Sequence, residues 1–325
     1  MLNGRFRLNM VAAALLIDVV AATASFAQQW PTHPVRFVLP FGPGSGADTA
    51  ARLITDKLQH RWGQPVILDG KPGGDGLLSL QTVLSAKDGH TLFFGPSSIF
   101  VVQRYMHPDI SFDPQTDFTP IAGVAKVEIA MAVPTGLGIS TLAEFVALAR
   151  AKPNQTSYAV APGFSEFVLD GFVKETGLAI AKVPYRDITK SPLDLGENRI
   201  QLSMQSYAAL RSYAQTGKIK IIAINDRERS PIAPDVPTAA ESGYPSLLAS
   251  PVLGLLGPRA MPIDLRKRIS ADVLATLDGK ATRERLALTG QPVTPLGVDP
   301  YTAALKDQYA QVARLASVLG IVRNK

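Results

Sequence analysis

Apolar residues in this chain fall in short runs. Behind most runs comes a glycine-rich stretch and then apolar positions at helical spacing. The run Val35-Arg36-Phe37-Val38-Leu39 predicts a strand, Pro40 to Ala47 a loop, and Ala50, Leu53, Ile54 and Leu58 the buried face of a helix. The unit recurs as strand Pro65 to Asp69, loop Gly70 to Gly76 and a helix from Leu77 to about Ala86. Asp88-Gly89 turns the chain into a third strand, Thr91 to Phe94, and a third loop, Gly95-Pro96-Ser97-Ser98. This repetition predicts three parallel strands with three loops at their carboxyl ends, the edge where open α/β sheets bind ligands.

The middle of the chain repeats the theme. Glu128 to Pro134 reads as a strand, and Thr141-Leu142-Ala143-Glu144 as a capping box opening a helix to about Lys152. Strand Ser157 to Val160 leads into the loop Ala161-Pro162-Gly163-Phe164-Ser165-Glu166 and another helix. Strand Ala181 to Val183 leads into Pro184-Tyr185-Arg186-Asp187, and strand Ile219 to Ile224 follows a turn at Gly217. Later come a second capping-box pattern, Thr238 to Glu241, a strand near Val252 to Leu256 and a helix from Pro262 to Leu277. A last helix is expected with Asp299 as cap and Pro300 at its first position, ending at Gly320.

The first loop has chemistry to offer. A glycine-rich turn feeding a helix bares backbone N–H groups, and the helix dipole adds partial positive charge, so the place suits an anion. It lacks the lysine of a nucleotide P-loop and the spacing of a dinucleotide fingerprint. Gly42, Gly44 and Gly46 serve either the turn or a ligand, and Asp48 either the helix dipole or a ligand contact. Catalysis finds no support. His33, His60, His90 and His107 form no metal-ligand spacing, and no serine stands in a G-x-S-x-G elbow.

Composition narrows the setting. The formal charge of +6 is spread over 325 residues without a basic, aromatic-interleaved run, which argues against nucleic acid. Arg5 and Arg7, then apolar Met10 to Ala24, then Ser25-Phe26-Ala27 read as a cleavable signal peptide of residues 1–27, with cleavage before Gln28. Removing two arginines and one aspartate with it lowers the formal charge by one. There is no cysteine, hence no disulfide, no thiolate site and no lipidated N-terminal cysteine. The expectation is a free periplasmic protein, monomeric, with no metal and no cofactor.

These phrases together resemble a known family, the Bug (TctC-like) periplasmic receptors of tripartite tricarboxylate transporters. The resemblance rests on Trp30-Pro31 and Pro34-Val35-Arg36; on Pro40-Phe41 with Gly44, Gly46, Asp48, Ala51 and Arg52; and on Gly63-Gln64-Pro65-Val66, Lys71-Pro72-Gly73 and Asp88-Gly89-His90-Thr91-Leu92. It continues through Val183-Pro184-Tyr185, Gly217-Lys218-Ile219-Lys220 and Pro234-Asp235-Val236-Pro237-Thr238. It implies a type II periplasmic-binding-protein fold: two α/β domains joined by crossover strands, with a small organic carboxylate held in the cleft between them. Residues 28–128 and 226–325 would build the first domain and 129–225 the second.

The ligand-binding residues so implied are Phe41, Gly42, Pro43, Gly44, Ser45, Asp48, Gly73, Gly74, Ser97 and Ser98 on the first domain. Gly163, Phe164, Ser165, Tyr185, Arg186 and Gln205 are implied on the second. The chain departs from the family pattern at Gly70-Lys71, at the bulky Phe164 and acidic Glu166, at Arg186-Asp187 and at Gln205, all of which bear on selectivity. Arg186 could clamp a carboxylate with two parallel hydrogen bonds or pair with Asp187 at the surface. The partners implied are transporter membrane subunits. A sensor kinase touched by the liganded receptor is an alternative from another class, and a periplasmic hydrolase a third.

Overall fold

In the computed structural model, which describes residues 30–161, 163–185 and 188–321, the first apolar run is strand β1, Val35–Leu39. The signal-peptide segment and the candidate Arg186 lie outside the described residues. Four of the five β1 residues are buried, as a strand covered on both faces by helices requires. Helix α1, Gly46–Trp62, starts where the Ser45 hydroxyl accepts the Asp48 N–H, and it stops at Gly63 in the left-handed region. Strand β2, Val66–Gly70, is followed by a glycine turn, then α2, Leu77–Ala86, and β3, Thr91–Pro96. Both β2 and β3 pair with β1 in parallel, so the three expected loops do lie along one edge.

Short helices α3, Gln103–Met106, and α4, Pro114–Asp117, lead to β4, Phe118–Lys126. The chain then builds a second sheet from β5, Ile129–Pro134; β6, Ser157–Val160; β7, Ala181–Pro184; β8, Leu202–Ser206; and β9, Ile219–Ile224. Its helices are α5, Leu142–Ala151; α6, Phe164–Thr176; α7, Ser191–Gly196; and α8, Tyr207–Ala214. The chain returns as β10, Val252–Pro258; α9, Ile263–Thr276; α10, Lys280–Leu288; β11, Val293–Leu296; and α11, Val298–Leu319. The strand orders are β11-β4-β10-β3-β1-β2 and β7-β6-β8-β5-β9. Strand β10 lies antiparallel to both β3 and β4.

Two passages link the sheets and run side by side. Val127 N–H donates to the Pro251 carbonyl at 2.7 Å, and Asn225 N–H to that of Ile129 at 2.9 Å. Lys126 Nζ bonds Asp226 Oδ2 at 2.9 Å, tying one passage to the other. Helix α11 bridges the halves as well. Its Tyr301 lies against Gly254 of β10, and its Leu315 against Gly171 of α6, where a Cβ would stand 2.5 Å from Leu315 Cδ2.

Two local expectations change. The last helix begins at Val298 with Gly297 as N-cap, because buried Val298 and Tyr301 draw the first turn into the core; Asp299 falls inside that turn, where the dipole favours it. Thr238 and Glu241 do exchange the two capping bonds, at 2.8 and 3.0 Å. They open only a turn, since Gly243 at φ 85° and Pro245 stop a helix.

Glu128 sits in the first passage, 4 % exposed. Burial pushes its carboxyl above the ordinary range, and Asp226 adds to this; Ser230 and Lys126 oppose it. A carboxyl with a raised folded pKa contributes no penalty below the unfolded value, where it is neutral in both states. It costs stability as pH rises through the folded value. Glu128→Gln should therefore melt with the wild type near pH 4 and increasingly above it toward pH 8, read by thermal denaturation across that range. A gap that closes with rising pH would refute this.

Candidate functional site

The loops after β2 and β3 face the second sheet across a cleft of about 700 Å³. Phe41, Gly73, Gly74, Asp75, Gly76 and Ser98 line it from the first half. Gly163, Phe164, Ser165, Gln205, Ser206 and Ala209 line it from the second. Between these rims the wall is apolar, with Ile99, Val102 and Met106 opposite Ile129, Ile188 and Met204.

Helix starts give the cleft its chemistry. Helix α6 has Gly163 as N-cap at φ 127° and no side-chain cap, and α2 has Gly76 at φ 91° and none either. The first N–H groups of a helix have no intrahelical acceptor, so the glycine cap of α6 leaves them to whatever occupies the cleft, whereas at α2 the Leu77 N–H is taken by the Gly74 carbonyl. Helix α8 starts at the same cleft, but the Ser206 hydroxyl accepts its Ala209 N–H at 3.4 Å. Gln205, 6 % exposed, donates from Nε2 to Ser191 Oγ at 2.9 Å, and Ser191 Oγ lies 2.8 Å from Ser203 Oγ. That buried trio fixes the glutamine at the base of the cleft.

Of the residues singled out in the sequence, Phe41, Gly73, Gly74, Ser98, Gly163, Phe164, Ser165 and Gln205 meet at this cleft. Phe164 is 5 % exposed and belongs to the core as well. Gly42, Pro43, Gly44, Ser45 and Asp48 are not among its lining. The reason is local. Asp48 Oδ2 accepts Gly44 N–H at 2.9 Å and Arg52 Nε at 3.0 Å, while Oδ1 accepts Arg52 Nη2 at 3.0 Å. The first loop is thus closed on the chain's own anion. The Arg52 hydrogen bond, helped by Gly44 and opposed by burial, holds the Asp48 carboxyl below the usual carboxylate range.

Ser97 and Tyr185 are also placed elsewhere. Ser97 is fully buried; its hydroxyl bonds Gln308 and accepts Val252 N–H at 2.9 Å, joining β3 to β10 and α11. Tyr185 donates its hydroxyl to Asp194 Oδ2 at 2.7 Å; burial and then that bond push the phenol up to about 12. Sequence reading missed Asp75 and the apolar wall. Asp75 lies within the expected loop Gly70 to Gly76, and its backbone at φ 53° is legible only in three dimensions.

A larger groove of about 1020 Å³ runs behind the linking passages, against α11. No glycine-rich loop of the first sheet reaches it, and there Lys126 is paired with Asp226 and Arg314 with Glu175. Among the described residues no group of His, Asp or Glu is placed to hold a metal ion, and no helix is long and apolar enough to cross a membrane.

Comparison with known proteins agrees with the fold. Residues 50–321 match the model of the tripartite tricarboxylate transporter family receptor. Protein BugT of Bordetella pertussis is 28% identical over 302 residues, which cover 90% of this chain and 92% of that protein. Among solved structures, R. palustris Rpa4515 with adipate is 27% identical, with a TM-score of 0.76, 90% of this chain covered and 99% of that one. MatC from Rhodopseudomonas palustris with bound malate is 26% identical, with a TM-score of 0.72, 89% of this chain covered and 100% of that one.

Proposed function

The chain belongs to the tripartite tricarboxylate transporter receptor family, and from that premise we propose that it captures a small organic carboxylate in the cleft between its two sheets. It is a solute receptor, not an enzyme, of a family whose receptors are periplasmic. The observation that carries the reading is the glycine-capped start of α6, without a side-chain acceptor, on an apolar-walled cleft. That likeness to proteins solved with adipate and malate supports the same ligand class.

In this reading residues 129–225 close as one domain over 28–128 and 226–325, turning on the paired passages at 126–129 and 225–226. The closed form docks on the membrane subunits of the transporter as a monomer. Residues 1–27 act as an export signal.

Thermal-shift screening of protein from the periplasmic fraction tests this. Organic acids should stabilise it and their amides and esters should not. A ligand at about 100 times its Kd adds roughly 2.7 kcal/mol, a rise of about 5 °C for a chain of this size. Stabilisation by neutral sugars alone would sink the carboxylate reading, and an intact Met1 in place of Gln28 at the N-terminus would sink the export signal.

A further inference from the structure

Among the described residues lining the cleft, Asp75 is the one ionisable side chain. It stands at φ 53°, ψ 33° between Gly74 at φ 56° and Gly76 at φ 91°. Glycine enters that region freely; an aspartate does so at a cost. The turn is pinned, because Gln103 Nε2 donates to the Asp75 carbonyl at 2.7 Å and Gly76 N–H to that of Gly73 at 3.1 Å. Asp75 Oδ2 lies 3.3 Å from His107 Nε2, the basic group paired with it. The aspartate precedes the N-cap of α2 by one residue, where a negative charge complements the helix dipole.

The two glycine-capped helix starts are therefore not equivalent. At the start of α2 the Leu77 N–H is taken by the Gly74 carbonyl and Asp75 stands one residue before the cap, whereas α6 begins at Gly163 with no side-chain cap and no acidic residue just before it. Between them lie the apolar side chains of Ile99, Val102, Met106, Ile129, Ile188 and Met204. A ligand that puts one carboxylate at α6 lays its body along that wall. A second carboxylate at its far end would approach the rim that carries Asp75.

We propose that this receptor selects a monocarboxylate with an apolar body, and that Asp75 is the residue that turns away dicarboxylates. The proposal rests on the carboxylate-receptor reading above and specifies the ligand class for the same cleft.

Matched acids test it by calorimetry: hexanoate against adipate, and benzoate against 1,4-benzenedicarboxylate. The first pair shares a six-carbon chain and the second a benzene ring, and each differs in the second carboxylate. In the wild type the monoacid should bind about tenfold more tightly than its diacid. Asp75→Asn keeps a residue type that tolerates the left-handed region and removes only the charge. It should bring the diacid to within about twofold of the monoacid, with monoacid affinity little changed. Asp75→Gly, which removes charge and strain together, should do the same and melt no lower than the wild type.

A wild type that prefers the diacid overturns the proposal, as does an unchanged ratio in a folded Asp75→Asn. A diacid preference abolished by Arg186→Ala would assign selection to Arg186 instead. If no carboxylate binds at all, the receptor reading itself falls, a result distinct from binding with the opposite preference.

Discussion

Ala209→Trp is expected to weaken binding of the strongest organic-acid stabiliser by at least about a hundredfold in a protein that still folds. Ala209 is half-buried on the cleft wall, in the first turn of α8. Its N–H is held by the Ser206 hydroxyl, so the cap does not depend on the side chain that is changed. A tryptophan brings on the order of 150–250 Å² of surface into a cleft of about 700 Å³. It takes the space of the ligand body and obstructs closure. A hundredfold loss is about 2.7 kcal/mol, well within what displaced packing supplies. Calorimetry with a parallel melting curve checks this, and undiminished affinity in folded Ala209→Trp would mean that the ligand sits elsewhere.

Gly254→Val is expected to be the most damaging single change to the fold. Gly254 lies in β10, paired with Gly95 of β3 on one side and Gly123 of β4 on the other. A Cβ there would stand 2.6 Å from the Ala122 carbonyl oxygen and 2.6 Å from Tyr301 Oη. The first is backbone in a central ladder and cannot move aside. Tyr301 is fully buried, and burial raises its phenol pKa. Overpacking a core costs about 1–3 kcal/mol, and more where backbone must shift; the whole fold rests on roughly 5–15 kcal/mol. Melting should fall by about 6 °C or more. A Gly254→Val protein melting within about 2 °C of the wild type would contradict the placement of β10 against Tyr301.

The parallel trio β2-β1-β3 was legible because each strand, loop and helix follows its neighbour in the chain and carries its own punctuation. Strand β4 was not. Pro120 and Gly123 argue against a central strand, yet β4 lies between β10 and β11. The register shifts between Leu255 and Leu256 as their partners pass from Ala122 to Pro120, so the proline sits at an irregularity of the ladder. The insertion of β10 between β3 and β4 is a pairing across distant sequence, which no local pattern encodes.

At the site, the cradle around Gly44 could be read from the spacing of glycines. That its anion is Asp48 could not, because the same carboxylate suits a helix dipole, an arginine four residues on, or a ligand. The rim at Gly73, Gly74, Gly163 and Gln205 was legible from the loops and the family pattern. The apolar wall was not, since Ile99, Ile129 and Met204 look like any core residue until the two sheets face each other.

The position of β10 also sets an order of events. All strands of the second sheet fall within one continuous stretch, Ile129–Ile224, so even its longest pairing, β5 with β9, closes inside that stretch. In the first sheet β3 and β4 never touch; the strand that joins them, Val252–Pro258, lies beyond the whole of the second sheet. Closing so long a loop adds little to the equilibrium cost but slows the search, because loop entropy grows only with the logarithm of length while rates track sequence separation. A refolding chain thus completes its second sheet first. Meanwhile the apolar margins of β3 and β4 stay open to wrong partners. The cleft is then the last feature to be completed, because one of its two rims, at Gly73 and Gly74, hangs on the sheet that is finished last.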